Sequence, residues 1–293
     1  MIEYQWIFVK GNVFMETHKM TPFVKWVGGK TQLLDRLIER VPNTYNRYFE
    51  PFLGGGAMLL ALKPKKAIVG DINEQLINIY KQLKQDPREI IKLVNSYDKT
   101  ICNKEFYYEM REKYNQKILS GEIDVECASL LIWLNKHCFN GLYRVNNKGL
   151  FNVPYNNKES GKSINDINLM NIGYYLSNND IDIRCQDFEC VCEDVKEGDF
   201  VYFDSPYIPI NETSSFVDYT KDGFSLEEHK RLATLFRELD KRGAKCMLSN
   251  HNVELVYELY QGFNIEVVDV RRNINSKGDK RVGKEVIITN YTN

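Results

Sequence analysis

The sequence predicts an α/β fold built on a mostly parallel sheet of seven strands, with an antiparallel C-terminal edge and a helical insertion. Three patterns predict it. Short apolar runs alternate with helical stripes over residues 31–85 and again over 181–260. The runs Phe263–Val270 and Glu285–Tyr291 have no helix between them and must pair as an antiparallel hairpin. Between about 83 and 175 the alternation stops and helices follow one another.

Taken in order, residues 1–20 lack clear periodicity and read as an extension. Leu33, Leu34, Leu37 and Ile38 form a helical stripe within Thr31–Arg40. A strand over Arg47–Glu50 runs into Gly54-Gly55-Gly56 and an apolar helix to Leu62, and Lys66–Gly70 is a second strand. Asn73 caps a helix whose Leu76, Ile77, Tyr80 and Leu83 share a face. Asp86-Pro87 opens another helix by cap and first-turn proline. Asn103–Leu119 and Asp124–His137 are helical; from Phe139 to Ser163 the pattern is lost to Asn, Gly, Lys and interleaved aromatics, as in a long functional loop. Strands resume at Ile181–Cys185 and Asp199–Asp204. Ser225-x-x-Glu228 is a capping box for a helix to Arg242, and a strand at Ala244–Ser249 precedes a helix at Asn252–Tyr260.

Composition narrows the function classes. The 293 residues are 43% hydrophobic and 27% charged, enough for a full core and unlike a disordered chain. No run of 18 apolar residues exists to span a membrane, and Ile7–Phe14 is too short and broken for a secretion signal. Seven cysteines without CxxC or Cys/His zinc spacing read as reduced thiols of a cytoplasmic protein, and four histidines argue against a histidine-based metal site or triad. Net charge is −1, but Trp133–Lys162 carries five basic residues against Glu159, and Arg271–Lys284 carries six against Asp279. Each run is either a solvated loop or a phosphate-tracking patch.

Two motifs carry chemistry. Tyr48–Gly56 is a strand running into glycines and a helix N-terminus, where backbone can approach a ligand. Asp71, ending the next strand, can bridge ribose hydroxyls, while Glu50 opposes a phosphate and suits a ligand with a positive amino group, such as S-adenosylmethionine. Asp204-Ser205-Pro206-Tyr207 ends another strand and fits chemistry on a base amine. The Asp204 carboxylate and the Ser205 carbonyl would accept from the amine and localise its lone pair, and Tyr207 would stack on the purine. Alone, the first motif is equally a tight turn beside an acid, and the second a strand end with a buried tyrosine.

Together, in this order, the motifs resemble those of the Dam/DpnII-type DNA adenine-N6 methyltransferases, over about residues 21–292. Pro22–Lys30 looks like that family's N-terminal motif, Glu50–Gly56 its cofactor motif, Gly70–Asn73 its ribose motif, Asp187-Phe188 the pair facing the cofactor adenine, and Phe139–Arg144 with Phe151–Tyr155 its target-recognition segment. The resemblance implies a Rossmann-like methyltransferase fold: an extension at 1–20, a catalytic S-adenosylmethionine-binding domain at 21–82 and 176–293, and an inserted helical target-recognition domain at 83–175. It implies cofactor contacts from Trp26, Lys30, Glu50, Phe52, Gly54, Gly56, Asp71, Asp187, Phe188 and Asp204. It implies DNA contacts from Lys25, Phe139, Asn140, Leu142, Arg144 and Pro154. Arg144 is the best candidate for a guanine edge, or else a phosphate clamp, and Phe139 is either a wedge into the gap left by a flipped base or equally a core residue. Ile208–Phe224, with Tyr219 and Phe224, reads as a flap over that base, and Lys277, Lys280 and Arg281 as phosphate contacts.

The implied activity is methyl transfer to adenine N6 in double-stranded DNA at GATC, by base flipping and without a metal. A cognate restriction endonuclease is a candidate companion, and the implied state is a monomer or weak dimer. The family tetrad is usually Asp-Pro-Pro-Tyr; Ser205 keeps the carbonyl and loses a fixed torsion, so a slower or looser site is expected. Two alternatives stand beside this reading: a cytosine-N4 methyltransferase, and a catalytically impaired module that binds cofactor and DNA.

Overall fold

The computed structural model describes residues 6–9, 12–15, 19–26, 28, 33–158, 161–209, 224–271 and 282–292. In chain order the elements are β1 (Trp6–Val9), β2 (Asn12–Met15), α1 (Leu34–Ile38), β3 (Tyr48–Glu50), α2 (Ala57–Leu62), β4 (Lys66–Gly70), α3 (Glu74–Gln85), α4 (Pro87–Tyr97), α5 (Lys104–Ser120) and α6 (Val125–His137). After a 3₁₀ turn at Phe139–Gly141 come α7 (Asp166–Asn178), β5 (Asp180–Arg184), α8 (Phe188–Val191), β6 (Phe200–Phe203), α9 (Leu226–Lys241), β7 (Lys245–His251), α10 (Glu254–Leu259), β8 (Asn264–Arg271) and β9 (Val282–Thr289).

The seven-stranded sheet has the order β5-β4-β3-β6-β7-β9-β8. β3 lies parallel to both β4 and β6, β6 is parallel to β7, and β9 is antiparallel to β7 and β8. The expected mostly parallel sheet with an antiparallel edge is therefore present. The stretch read as an extension without periodicity holds the β1–β2 hairpin, with Trp6 opposite Met15. Two runs of four residues are too short to show a period against the surrounding polar positions.

The chain forms two compact units. The first comprises Met1–Gly29, Gly54–Lys63 and Asn73–Ile183; the second comprises Lys30–Leu53, Pro64–Ile72 and Arg184–Asn293. In the second unit, β6 is buried along its whole length, as a central parallel strand must be. Phe49, Val201, Phe203, Cys246, Leu248, Val286 and Ile288 from the strands pack with Leu232, Phe236 and Leu239 of α9. The Ser225–Glu228 capping box that opens α9 is closed in both directions.

In the first unit, Asn73, Asn103 and Asp124 cap α3, α5 and α6 by accepting from Leu76, Phe106 and Cys127 amides. α6 is apolar and buried nearly all round. α7 lies in a stretch, after Ser163 and before Ile181, to which the sequence pattern assigns no separate helix. Its Gly173 is a packing requirement: a Cβ there would lie 2.5 Å from Pro87 Cγ and 2.7 Å from the Leu83 carbonyl, at the α3–α4 junction. No helix among the described residues is long and apolar enough to cross a membrane.

His137 in the first unit and His229 in the second are each about 97–99% buried and pushed down to about 4, chiefly by desolvation. Both stay neutral when folded at pH 6, whereas the unfolded chain binds their protons. Stability is therefore fully present above about pH 6.5 and lost as pH falls toward 4, at up to ~1.4 kcal/mol per pH unit for each histidine. Denaturant titrations between pH 7 and 4.5 are expected to show that loss, and His137→Gln with His229→Gln to flatten it.

Candidate functional site

In the second unit, strand register sets three carboxylates at one edge of the sheet. Glu50 is level with Val69 of β4, and Phe49 is level with Val201 of β6. Asp71 and Asp204 thus each stand two residues beyond the level of Glu50, on the strands flanking it. All three leave the carboxyl ends of parallel strands, which lie roughly 4.8 Å apart from neighbour to neighbour. Ligands of open α/β sheets bind outside this edge.

Glu50 and Asp71 are anchored. Glu50 is 2% exposed and accepts from the Tyr48 hydroxyl at 2.9 Å. Burial, with the Glu50 charge beside it, pushes the Tyr48 phenol well up, so Tyr48 stays a donor. The Asp71 amide donates to the Arg184 carbonyl at 3.2 Å and the Leu53 amide to the Gly70 carbonyl at 2.8 Å. Gly70 is needed for this approach, because a Cβ there would meet Val191 Cγ2 at 2.5 Å.

Beyond Asp204, Ser205 is buried, Pro206 is exposed and Tyr207 is half-buried. The Tyr207 hydroxyl donates to Glu285 Oε2 at 3.0 Å, and its ring meets His251 edge-on at 4.8 Å. Burial pushes this phenol well above its ordinary range, and Asp204 and Glu285 add to the shift, so the ring stays uncharged. The segment is pinned from β7: the Ile208 amide donates to Asn250 Oδ1 at 3.0 Å, and the Ile208 carbonyl lies 2.7 Å from His251 Nδ1. Sequence reasoning passed over Asn250, His251 and Glu285; the polar run Ser249-Asn250-His251 at the end of an apolar strand was the available signal.

Asp187 and Phe188 open α8. Asp187 accepts from the Glu189 amide and pairs with Arg231 at 3.0 Å. The Phe188 ring stacks on Phe52 at 5.3 Å and touches Phe224, which also meets Phe52 edge-on. The expected cofactor residues Phe52, Asp187 and Phe188 are thus one aromatic and acidic cluster, joined by Phe224 from the end of the expected flap.

The first unit carries the glycine turn and the recognition segment. Gly54 and Gly56 take φ of +49° and +68°, and the Tyr80 hydroxyl donates to the Gly54 carbonyl at 3.0 Å. A Cβ on Gly56 would lie 2.5 Å from that hydroxyl, and one on Gly54 would lie 3.2 Å from Trp26. Only glycine fits both positions in the turn that leads into α2. Trp26 stacks on Tyr143 at 5.0 Å with 26° between the rings.

The patternless stretch 139–158 is a hairpin-like loop. It is closed by Phe139 N to Pro154 O at 2.8 Å and Asn152 N to Arg144 O at 3.1 Å, with bridges Cys138–Tyr155 and Val145–Phe151. Phe151, Val153 and Tyr155 turn inward, where Asn115 bonds the Phe151 amide and carbonyl and Tyr107 donates to the Val153 carbonyl. Phe139, Asn140, Leu142, Arg144 and Pro154 stand on the exposed side, so all the expected DNA-contacting residues of this segment are accessible. Arg144 is pre-oriented, with Nε 2.7 Å from Asn152 Oδ1 and Nη2 3.3 Å from the Asn152 carbonyl. Lys25 is exposed, with its main chain held by the buried Asn135.

Lys30, Tyr219, Lys277, Lys280 and Arg281, and positions 210–223 of the expected flap, lie outside the described residues.

Comparison with known proteins follows the same lines. The chain is 45% identical to a type II methyltransferase, M.MjaIII, of Methanocaldococcus jannaschii, covering 93% of this chain and 100% of that one. It is 42% identical to the type II methyltransferase M1.LlaDCHI of Lactococcus lactis subsp. cremoris, over 94% and 96% of the two chains. It is 30% identical to the DNA adenine methylase of Escherichia coli K12, over 93% and 96%. Residues 26–274, spanning the glycine turn, the recognition loop and the tetrad, match the family described as D12 class N6 adenine-specific DNA methyltransferase, and the chain belongs to that family.

Proposed function

We propose that this adenine-specific DNA methyltransferase uses S-adenosylmethionine to methylate N6 of an adenine flipped out of double-stranded DNA at GATC. In this reading residues 83–175 recognise the target, and residues 21–82 and 176–293 bind the cofactor and carry the chemistry. The observation that carries it is the alignment of Glu50, Asp71 and Asp204 at the carboxyl ends of three adjacent parallel strands. The adenine-specific family sets aside cytosine N4 as the target.

The residues present fit the cofactor. The Gly54–Gly56 turn is a cradle that a Cβ would fill, Glu50 suits an ammonium, Asp71 suits ribose hydroxyls, and the Phe52–Phe188 cluster suits an adenine ring. Trp26, Lys30, Asp187 and Asp204 complete the proposed set. When bound, the cofactor supplies an electrophilic methyl group on a sulfonium.

The amine of adenine is a poor nucleophile because its lone pair is delocalised into the ring. The Asp204 carboxylate and the Ser205 carbonyl accept from its two hydrogens and favour a localised lone pair in the transition state. Tyr207, kept neutral and tethered to Glu285, offers an aromatic face worth roughly 1–3 kcal/mol of stacking, which helps offset the few kcal/mol of extruding the base. Where the family tetrad uses proline to fix the backbone, this chain has Ser205, and the bonds of Ile208 to Asn250 and His251 restrain the segment instead.

Incubating plasmid with protein and labelled cofactor, followed by nucleases that distinguish modified from plain GATC, tests the whole reading; label without GATC protection overturns the site assignment. Asp204→Ala is expected to lower kcat by about 10²–10³-fold. Ser205→Pro is expected to change it by less than about tenfold. No activity before that substitution, with rescue after it, would show the native tetrad to be broken. Arg144→Ala is expected to lose about 1–3 kcal/mol of discrimination at one base pair. Equal weakening at every sequence would make Arg144 a phosphate contact instead.

A further inference from the structure

We infer that Asn135 is a positioning residue for DNA reading: it sets the register between Lys25 and the recognition turn Phe139–Arg144, and through that register the site discrimination of the enzyme. The inference rests on the proposed reading of Lys25, Asn140 and Arg144 as DNA contacts.

Asn135 lies in the last turns of α6, is 3% exposed, and follows the buried run Leu130-Leu131-Ile132-Trp133-Leu134. A polar side chain in such surroundings is costly unless its hydrogen bonds are made. Here they are made to two distant pieces of main chain. Oδ1 accepts from the Lys25 amide at 2.8 Å, and Nδ2 donates to the Lys25 carbonyl at 3.0 Å and to the Gly141 carbonyl at 2.9 Å. Both hydrogens of the amide nitrogen are thereby used. One carboxamide grips Lys25 as a neighbouring strand would and ties it to the turn.

The turn is built to accept this contact. Asn140 and Gly141 take φ of +56° and +66°. A Cβ on Gly141 would lie 2.5 Å from Lys25 Cδ and 2.9 Å from Lys25 Cβ, so the glycine lets the lysine stem lie against the turn. The neighbouring residues repeat the pairing, with Trp26 stacked on Tyr143. Bidentate base contacts depend on side-chain geometry, so a shift of the two segments past one another would degrade discrimination before it degraded cofactor binding.

Asn135→Ala and Gly141→Ala, with Lys25→Ala and Arg144→Ala as references, would be assayed for kcat/KM on a GATC duplex and on duplexes carrying one altered base pair. Binding of S-adenosylhomocysteine without DNA and the melting temperature would be measured on each. Discrimination is expected to fall at least tenfold in Asn135→Ala and Gly141→Ala, with cofactor-product affinity within about twofold of the parent. A folded Asn135→Ala that discriminates as the parent does, while Arg144→Ala does not, overturns the inference and leaves the DNA reading standing. Equal loss on all duplexes, in step with a lowered melting temperature, also overturns it by showing a role in folding only. If neither Lys25→Ala nor Arg144→Ala lowers discrimination, the underlying DNA reading fails and the inference with it. If Asn135→Ala does not fold, Gly141→Ala decides: unchanged discrimination there overturns the inference.

Discussion

The register of β3 against β6 is the constraint on which the acidic edge depends, and a buried charge at the opposite end of those strands secures it. Asp199 is 1% exposed just before β6. It accepts from Arg47 through the backbone amide at 3.1 Å, Nε at 3.2 Å and Nη2 at 2.7 Å, and from the Lys196 amide at 2.9 Å. Arg47 immediately precedes β3. The carboxylate of this pair is buried and the guanidinium is partly exposed, so the pair contributes little net stability, while removing Arg47 would leave a buried charge without its cation, at a cost of up to about 3–5 kcal/mol. Its value is geometric. A slip of one residue would reverse which face each side chain occupies. It would also move Asp204 out of line with Asp71.

The first unit solves a different problem, presenting polar and apolar side chains on a loop with no regular ladder. Alternation does the sorting. Phe151, Val153 and Tyr155 are buried, and Asn152 and Pro154 between them are not. The buried members are fixed by side chains of α5, with Asn115 and Tyr107 bonding the loop backbone. A further partly buried network, in which Ser163 donates to Asp98 at 2.6 Å and lies 2.9 Å from His137 Nε2, holds the chain just before α7 against the end of α6. The exposed side is then free to vary chemically while its backbone stays in place, the usual division between scaffold and functional loop.

The sheet was legible because its strands are short apolar runs between capped helices, each signalled by one or two residues: Asn73, Asp86-Pro87, Ser225 with Glu228. The acids at strand ends were legible for the same reason, since a carboxylate closing an apolar run has few structural uses. What could not be read were interactions between segments far apart in sequence. Gly173 is required by Pro87 and the Leu83 carbonyl packed against it, neighbours that lie more than 80 residues earlier in the chain. Asn135, in a stripe of leucines, gives no hint that its partners lie 110 residues away and six residues ahead. The supports of the tetrad, Asn250, His251 and Glu285, lie between 42 and 78 residues further along the chain than the residues they hold.

The tetrad shows why such distant supports matter. A proline restrains its own φ and the conformation of the residue before it, so Asp-Pro-Pro-Tyr carries its shape locally. With serine in the second position, the torsions around Asp204 have to be fixed by contacts from elsewhere. β7 holds Ile208 through Asn250 and His251, and β9 holds Tyr207 through Glu285, just beyond Asp204. The geometry of the segment after Asp204 then depends in part on the antiparallel edge of the sheet. A substitution in β9 should accordingly be more disruptive here than in a relative whose tetrad holds two prolines, because the restraint that proline builds into the chain is here delegated to tertiary structure.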